Sequence, residues 1–308
     1  MSSNALKNRI RSTKNIAKIT RAMEAVSAVK MRRSVALALA GRPYALSALR
    51  LLEYVEKHTG DFKHSELPLL AVRPVRKETL VVITSDKGLA GSFNLNVLRV
   101  AENYLSEKTH PIELVTVGKK GRDYFRRKGE LAAEFLGAGD FGTAEETGPI
   151  AAFVLERFKR NLTDKVTIIY TNFVSALYQE TIKRTLLPFT EEFLKEAIQN
   201  IIPKRGKYAN IPSVFKPNDK IDLEPLLEPS PIILLEKLLP VLLSIEVHSA
   251  IIEANASEHS SRMMAMRTAS DNATELSGKL TIAYNKARQA QITKELLEIT
   301  AGKEALET

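Results

Sequence analysis

The sequence predicts an α/β domain inserted between the two arms of a long antiparallel coiled coil. Three observations carry this: a helical run of extreme length at the C-terminus, a second at the N-terminus, and alternating strand and helix patterns between them. They divide the chain into an N-terminal coiled-coil helix over 1–60, a central α/β domain over 76–225 and a C-terminal coiled-coil helix over 230–305.

The C-terminal run, Pro231 to Ala301, contains one glycine (Gly278) and one interior proline (Pro240). It far exceeds the roughly 11–12 residues of an average globular helix. Ser230 before Pro231 is a start signal, an N-cap followed by proline at the first helical position. Met266, Ala269, Ala273, Leu276, Leu280, Ala283, Ala287 and Ala290 recur at steps of three and four, the spacing of a seam. Alanine at most of those positions predicts close approach of the partner backbone. At about 1.5 Å per residue the helix is on the order of 100 Å long.

The N-terminal run, residues 3 to 57, is interrupted only by Gly41 and Pro43. Ile16, Ile19, Met23 and Val26, widened by Ala22, Ala25 and Val29, give its apolar stripe. An antiparallel pair within one chain is the simplest geometry; a helical bundle or a homodimeric coiled coil fits the same periodicity.

Between the arms, Pro68 and Pro74 mark a boundary, and Thr79 to Thr84 is a continuous apolar, β-branched run, as in a strand buried on both faces. Helix follows over 95–108, strand over 112–117, helix over 121–128 and a short strand over 132–136. Pro149 to Leu162 reads as helix, 165–172 as strand and 180–189 as a further strand. A short helix is expected over 191–202, then a basic turn-rich loop over 203–212.

Composition narrows the function. Apolar residues make up 44% and charged residues 26%, ordinary for a folded soluble chain. No apolar run reaches membrane-spanning length, and the first residues lack the apolar stretch of a secretory signal. Cysteine is absent, which excludes disulfides, thiolate metal sites and thiol catalysis and suits a reducing compartment. The net charge of +9 resides in residues 1–42, where ten basic residues meet one acid, Glu24; the remainder balances. Such a helix faces a polyanion or an acidic protein surface. Nucleic acid is one candidate, although no aromatics are interleaved for base stacking.

The search for chemistry returns little. The turn Ser85-Asp-Lys-Gly-Leu-Ala-Gly-Ser-Phe-Asn94 has Gly88 and Gly91 but neither the phosphate-loop nor the dinucleotide glycine pattern. Asp86 and Asn94 read as caps of the turn and the following helix. His58, His64, His110, His248 and His259 are scattered without metal-ligand spacing. No nucleophile elbow is present. No cofactor is expected, and the chain reads as one that binds or transmits.

Both ends and the central turn carry a resemblance. It rests on Ile10-Arg-Ser-Thr-Lys-Asn-Ile-Ala-Lys-Ile-Thr-Arg-Ala-Met-Glu24, on Ser27-Ala-Val-Lys-Met-Arg-Arg33, and on Met263-Met-Ala-Met-Arg-Thr-Ala-Ser-Asp-Asn-Ala273. It continues through Tyr284-Asn-Lys-Ala-Arg-Gln-Ala-Gln-Ile-Thr-Lys-Glu-Leu-Leu-Glu-Ile-Thr-Ala-Gly302. These segments resemble the γ subunits of F-type ATP synthases of bacterial type. In the central turn, Lys87, Ala90 and Ser92 replace the family's usual Arg, Cys and Gly.

The resemblance implies a rotor shaft without catalytic groups, its terminal helices inserted in the hexamer of α and β subunits. It implies a Rossmann-like domain without a nucleotide site, near the ε subunit and the c-ring, and a peripheral place on the cytoplasmic face of the cell membrane. By motif match, Arg288 and Gln289 resemble the pair that contacts a β-subunit catch loop, and Met23 a residue near that contact. The basic helix, with Lys30, Arg32 and Arg33, would face acidic partner loops.

Overall fold

The computed structural model describes residues 3–58, 67–138, 142–190 and 230–306. The expected helix over 191–202 and the loop over 203–212 lie outside the described residues. The chain forms two compact units, residues 28–261 and residues 1–27 with 262–308.

In the first unit five strands, β1 (Glu78–Ile83), β2 (Ile112–Val117), β3 (Ala133–Phe135), β4 (Lys165–Phe173) and β5 (Gln179–Leu187), line up in the order β3-β2-β1-β4-β5. The first four are parallel, and β5 returns antiparallel to β4. Both faces of the sheet are covered, which is why its strands read as near-continuous Val, Ile and Leu. On one side Leu80 and Val82 of β1 and Ile169 of β4 meet Val97, Ala101 and Tyr104 of α2 (Phe93–Glu107) and Phe125 of α3 (Lys119–Phe125). On the other, Val81, Ile83, Val115 and Ile168 meet Ile150, Val154 and Phe158 of α4 (Ala144–Lys159). The same face takes Leu239, Leu243, Val247 and Ile251 from α5 (Pro231–Leu306).

The predicted start of α4 at Pro149 is five residues late. The helix begins at Ala144, where the Glu146 carboxylate accepts the Thr143 backbone N–H at 2.8 Å, one half of a capping box. Pro149 is carried inside the helix. The stronger start signal was the Thr-x-x-Glu spacing rather than the proline. At α5 the expected cap is present: Ser230 Oγ faces the Ile233 N–H at 3.4 Å, and the Ser230 carbonyl accepts from Leu234.

The second unit is a two-helix rod. It pairs residues 3–27 of α1 (Ser3–His58) antiparallel with residues 262–306 of α5. Its seam corrects the expectation on both helices. On α5, Met266, Ala269, Ala273, Leu280 and Ala287 face inward or partly so, joined by Ser270, Ser277 and Tyr284. Leu276 is 46% exposed, and Ala283 and Ala290 also face out. On α1 the buried or half-buried residues include Leu6, Ile10, Thr13, Ala17, Thr20, Met23 and Ser27, again at steps of four and three, whereas Ile16, Ile19 and Val26 face solvent.

Small hydroxyl residues can take a seam because a helix lets them bond to their own backbone. Thr13 Oγ1 donates to the Arg9 carbonyl at 2.8 Å and Ser27 Oγ to the Met23 carbonyl at 2.7 Å. Ser270 Oγ crosses the seam to the Ala17 carbonyl at 3.3 Å, which requires the backbones to lie close. A search for apolar periodicity therefore found much of the inner stripe of α5 but, Met23 apart, picked the outer stripe of α1.

Candidate functional site

The candidate functional surfaces are the outward faces of the rod and the turn that follows β1. The bond between Ser270 and Ala17 sets the level of the two helices against each other. Counting outward from it in opposite directions, α1 begins, at Ser3, near the level of residue 284 of α5. Beyond that level no described residue of α1 accompanies α5, and all of residues 288–301 are exposed. That lone stretch still carries large apolar side chains: Ile292, Leu296 and Ile299 on one stripe, with Leu297 beside it at 64% exposure. Contiguous apolar surface of this kind marks a binding face.

Residues 3–27 of α1 repeat the pattern in a more basic form. Ile16, Ile19 and Val26 lie outward, Ile19 at 59% exposure, and Lys7, Arg9, Arg11, Lys14, Lys18 and Arg21 are exposed with them. Long basic side chains beside exposed isoleucines fit a partner that offers both apolar contact and carboxylates.

The residues singled out from the sequence fall at separate places. Arg288 and Gln289 are neighbours on the lone stretch, both exposed. Met23 is half-buried on α1. By the register of the Ser270–Ala17 bond it lies level with residue 264, which at 1.5 Å per residue puts it about 36 Å along the rod from Arg288. One small contact cannot include both. Lys30, Arg32 and Arg33 belong to the other unit, with Lys30 half-buried and both arginines exposed; Lys30 and Arg33 already have polar or charged partners in the chain.

The turn after β1 is built from its own side chains. Asn94 Oδ1 accepts the Ser85 backbone N–H at 2.9 Å, and Ser85 Oγ donates to the Lys87 carbonyl at 2.7 Å. Asp86 caps a different helix from the one expected: its Oδ1 accepts the Lys119 N–H at the start of α3 (2.8 Å) and its Oδ2 accepts the Gly137 N–H (3.1 Å). Thr84 Oγ1 accepts the Gly121 N–H at 2.8 Å and donates to the Val117 carbonyl at 3.0 Å. Gly118, at φ +92°, permits this closure, since a Cβ there would stand 2.1 Å from the Thr84 carbonyl oxygen. In a doubly wound sheet the carboxyl ends of the strands are where a ligand phosphate would sit. Here backbone N–H groups at that edge are taken by the protein's own carboxylate.

Sequence reasoning missed two buried carboxylates. Glu78, fully buried at the start of β1, accepts from Tyr104 Oη at 2.6 Å, bonds His110 Nε2 at 2.8 Å, and lies 3.9 Å from Lys165 Nζ. Burial pushes its pKa up, but the hydrogen bonds from Thr167, Tyr104 and His110 and the charge of Lys165 outweigh that and hold it below the usual carboxylate value. Burial raises the Tyr104 hydroxyl to about 12, with Glu78 adding to it. Glu246 on α5 is nearly as buried and takes a 2.9 Å bond from Arg184; burial raises its pKa, and Arg184 only partly offsets this. His248 bonds Thr147 Oγ1 at 3.1 Å, and burial lowers its pKa. These are packed groups. Among the described residues no three His, Cys, Asp or Glu side chains gather to hold a metal ion, and no helix is long and apolar enough to cross a membrane.

Known proteins share this arrangement from end to end. The ATP synthase family model matches residues 2–306. The ATP synthase gamma chain of Pelotomaculum thermopropionicum is 39% identical over 306 residues, covering 98% of each chain. The chain belongs to the ATP synthase gamma-chain family. A second gamma chain, from Roseiflexus castenholzii, is 41% identical over 311 residues, 99% of this chain and 98% of its own.

The gamma-chain fold recurs in solved structures. A chain in the central stalk and c-ring of the Tetrahymena thermophila mitochondrial ATP synthase aligns with a TM-score of 0.57 at 25% identity, covering 82% of this chain and 99% of that one. A chain of the Euglena gracilis mitochondrial ATP synthase aligns with a TM-score of 0.64 at 22% identity, covering 99% and 94%.

Proposed function

We propose that the chain is the turning central shaft of an F-type ATP synthase, coupling ion-driven rotation of the c-ring to conformational change at the β-subunit catalytic sites. The observation that carries this is the end of α5, where Ile292, Leu296, Leu297 and Ile299 are exposed and no described residue of α1 runs alongside. In the shaft reading a sleeve of α and β subunits covers them. The basic face of α1 meets acidic loops of the same hexamer, Arg32 and Arg33 included.

The shaft carries no catalytic group and no cofactor of its own. It changes β-site affinities by presenting different contacts at different angles, since a partner shifts an equilibrium only by its differential affinity for the two states. Arg288 with Gln289 forms one contact, against a β-subunit catch loop, and Met23 marks a second, lower level of the rod. The α/β domain faces ε and the c-ring on the cytoplasmic side of the membrane, peripheral to it. The Asp86 carboxylate on the Lys119 and Gly137 N–H groups, where a phosphate would sit, disfavours nucleotide binding by the domain.

The exposed isoleucines of α1 disfavour the nucleic-acid reading, since phosphates leave them uncovered. Reconstitution decides between the two. Purified chain mixed with α and β subunits is expected to yield a stable ATP-hydrolysing complex, and Leu296→Asp with Leu297→Asp to prevent its formation. A chain that stays out of the complex while binding DNA tightly at physiological salt overturns the proposal.

A further inference from the structure

Within the α/β unit α5 is held against the sheet in two ways. Its leucines and isoleucines fill the core, a non-directional contact that resists separation but says little about rotation. Directional contacts to β5 and the β4–β5 hairpin include two levels. At the first, Arg184 of β5 donates to Glu246 at 2.9 Å, with both side chains nearly out of solvent. At the second, three serines within little more than one turn reach the β4–β5 hairpin. Ser257 Oγ donates to the Thr171 carbonyl (3.0 Å), Ser260 Oγ to the Ala176 carbonyl (2.7 Å) and Ser261 Oγ to Gln179 Oε1 (3.1 Å). Gln179 Nε2 in turn donates to the Ser175 and Ala176 carbonyls.

Glu246 and Ser257 are eleven residues apart, about three helical turns, so both project from one face of α5. Neither level is easily explained by stability alone. A buried ion pair is often matched or bettered by apolar residues of the same volume, and its best-attested use is to fix register. Serines inside a helix weaken it slightly.

We infer that the Arg184–Glu246 pair and the Ser257, Ser260 and Ser261 bonds key α5 to the β4–β5 ladder, stopping the helix from turning or sliding in its groove when torque passes through it. The inference rests on the shaft reading and names the positioning residues by which domain and helix turn together.

The test uses the assembled synthase in inverted membrane vesicles and reads ATP-driven ion uptake per ATP hydrolysed. The Arg184→Met, Glu246→Met pair and the Ser257→Ala, Ser260→Ala, Ser261→Ala set are each expected to lower that ratio by about twofold, and together by more. The melting temperature of the isolated methionine-pair chain should stay level or rise, which a merely structural role would not give alongside lost coupling. The serine set removes only hydroxyls and reads the same ratio should the methionine pair fold poorly. Full coupling in both variant sets, with wild-type chain coupling normally, overturns the keys alone. If wild-type chain supports no coupled turnover, the shaft reading fails first.

Discussion

The α/β unit and the two-helix rod place their apolar residues in opposite directions. Every residue of β1 is buried, and Val, Ile and Leu dominate both faces of the sheet. In the rod, Thr13, Ser27, Ser270 and Ser277 occupy the seam, while Ile16, Ile19, Leu296 and Ile299 stand in solvent. The first unit is stabilised by what it encloses. In the shaft reading the second is completed by other chains, because burial at roughly 25 cal/mol per Å2 is realised only once something covers those side chains.

The largest test of that difference is a pair of truncations. Ile168→Ala, at a fully buried position in β4, should cost about 2–5 kcal/mol of unfolding free energy by chemical denaturation. Ile19→Ala on the rod should cost less than about 0.5 kcal/mol in the isolated chain. Comparable losses at both positions would break the comparison.

A smaller effect separates the units by pH. The folded-state pKa of Glu78 is depressed, so its contribution is present above the ordinary carboxylate value and is lost as pH falls through the folded value. The melting temperature of wild type should therefore drop toward that of Glu78→Gln as the solution is acidified below about pH 4.5, the ordinary value. An unchanging gap between the two down to pH 3 would remove Glu78 as the titrating group.

In the complex, Arg288→Ala should leave the fold intact and slow coupled ATP turnover by about tenfold, the equivalent of one charge-assisted hydrogen bond. Arg288→Lys should restore part of it, since lysine keeps the charge without the fork. Adding Gln289→Ala should be non-additive with Arg288→Ala. Normal turnover in the double variant would assign torque to packing along the rod.

The smallest effect is the most telling for the seam. Ser270→Ala removes the bond to the Ala17 carbonyl but keeps the close fit, and should cost about 0.5–1.5 kcal/mol. Ser270→Leu should separate the helices, lowering the thiol-crosslinking yield of a cysteine pair introduced at Leu6 and Leu280. An undiminished yield would mean that the seam tolerates bulk.

The α/β unit was legible because its signals are local and redundant. The run Thr79–Thr84 named β1 within one residue, and 112–117 named β2 outright. The rod was legible as helix for the same reason, and much of the α5 seam with it, yet the α1 face was misread. Hydrophobic periodicity selects the strongest apolar stripe, and at Ile16, Ile19 and Val26 that stripe faces outward, toward whatever the chain binds. The inner stripe of Leu6, Ile10, Thr13, Ala17, Thr20, Met23 and Ser27 has a diluted hydropathy signal, because hydroxyl and small side chains alternate with its apolar members at steps of four and three. Arg288 and Gln289 could be marked by motif alone. Glu78 and Glu246 could not be found, because their meaning lies in Tyr104, His110 and Arg184, distant in sequence and joined only by the sheet.

The uncovered end of α5 has a consequence for how a cell must make this chain. A helix presenting Ile292, Leu296, Leu297 and Ile299 to water is an invitation to indiscriminate association, both with itself and with unfolding neighbours. Surplus chain is therefore a hazard rather than a reserve. Under the shaft reading its synthesis has to be matched to that of the subunits that would sheathe it, and any excess left to chaperones and proteases.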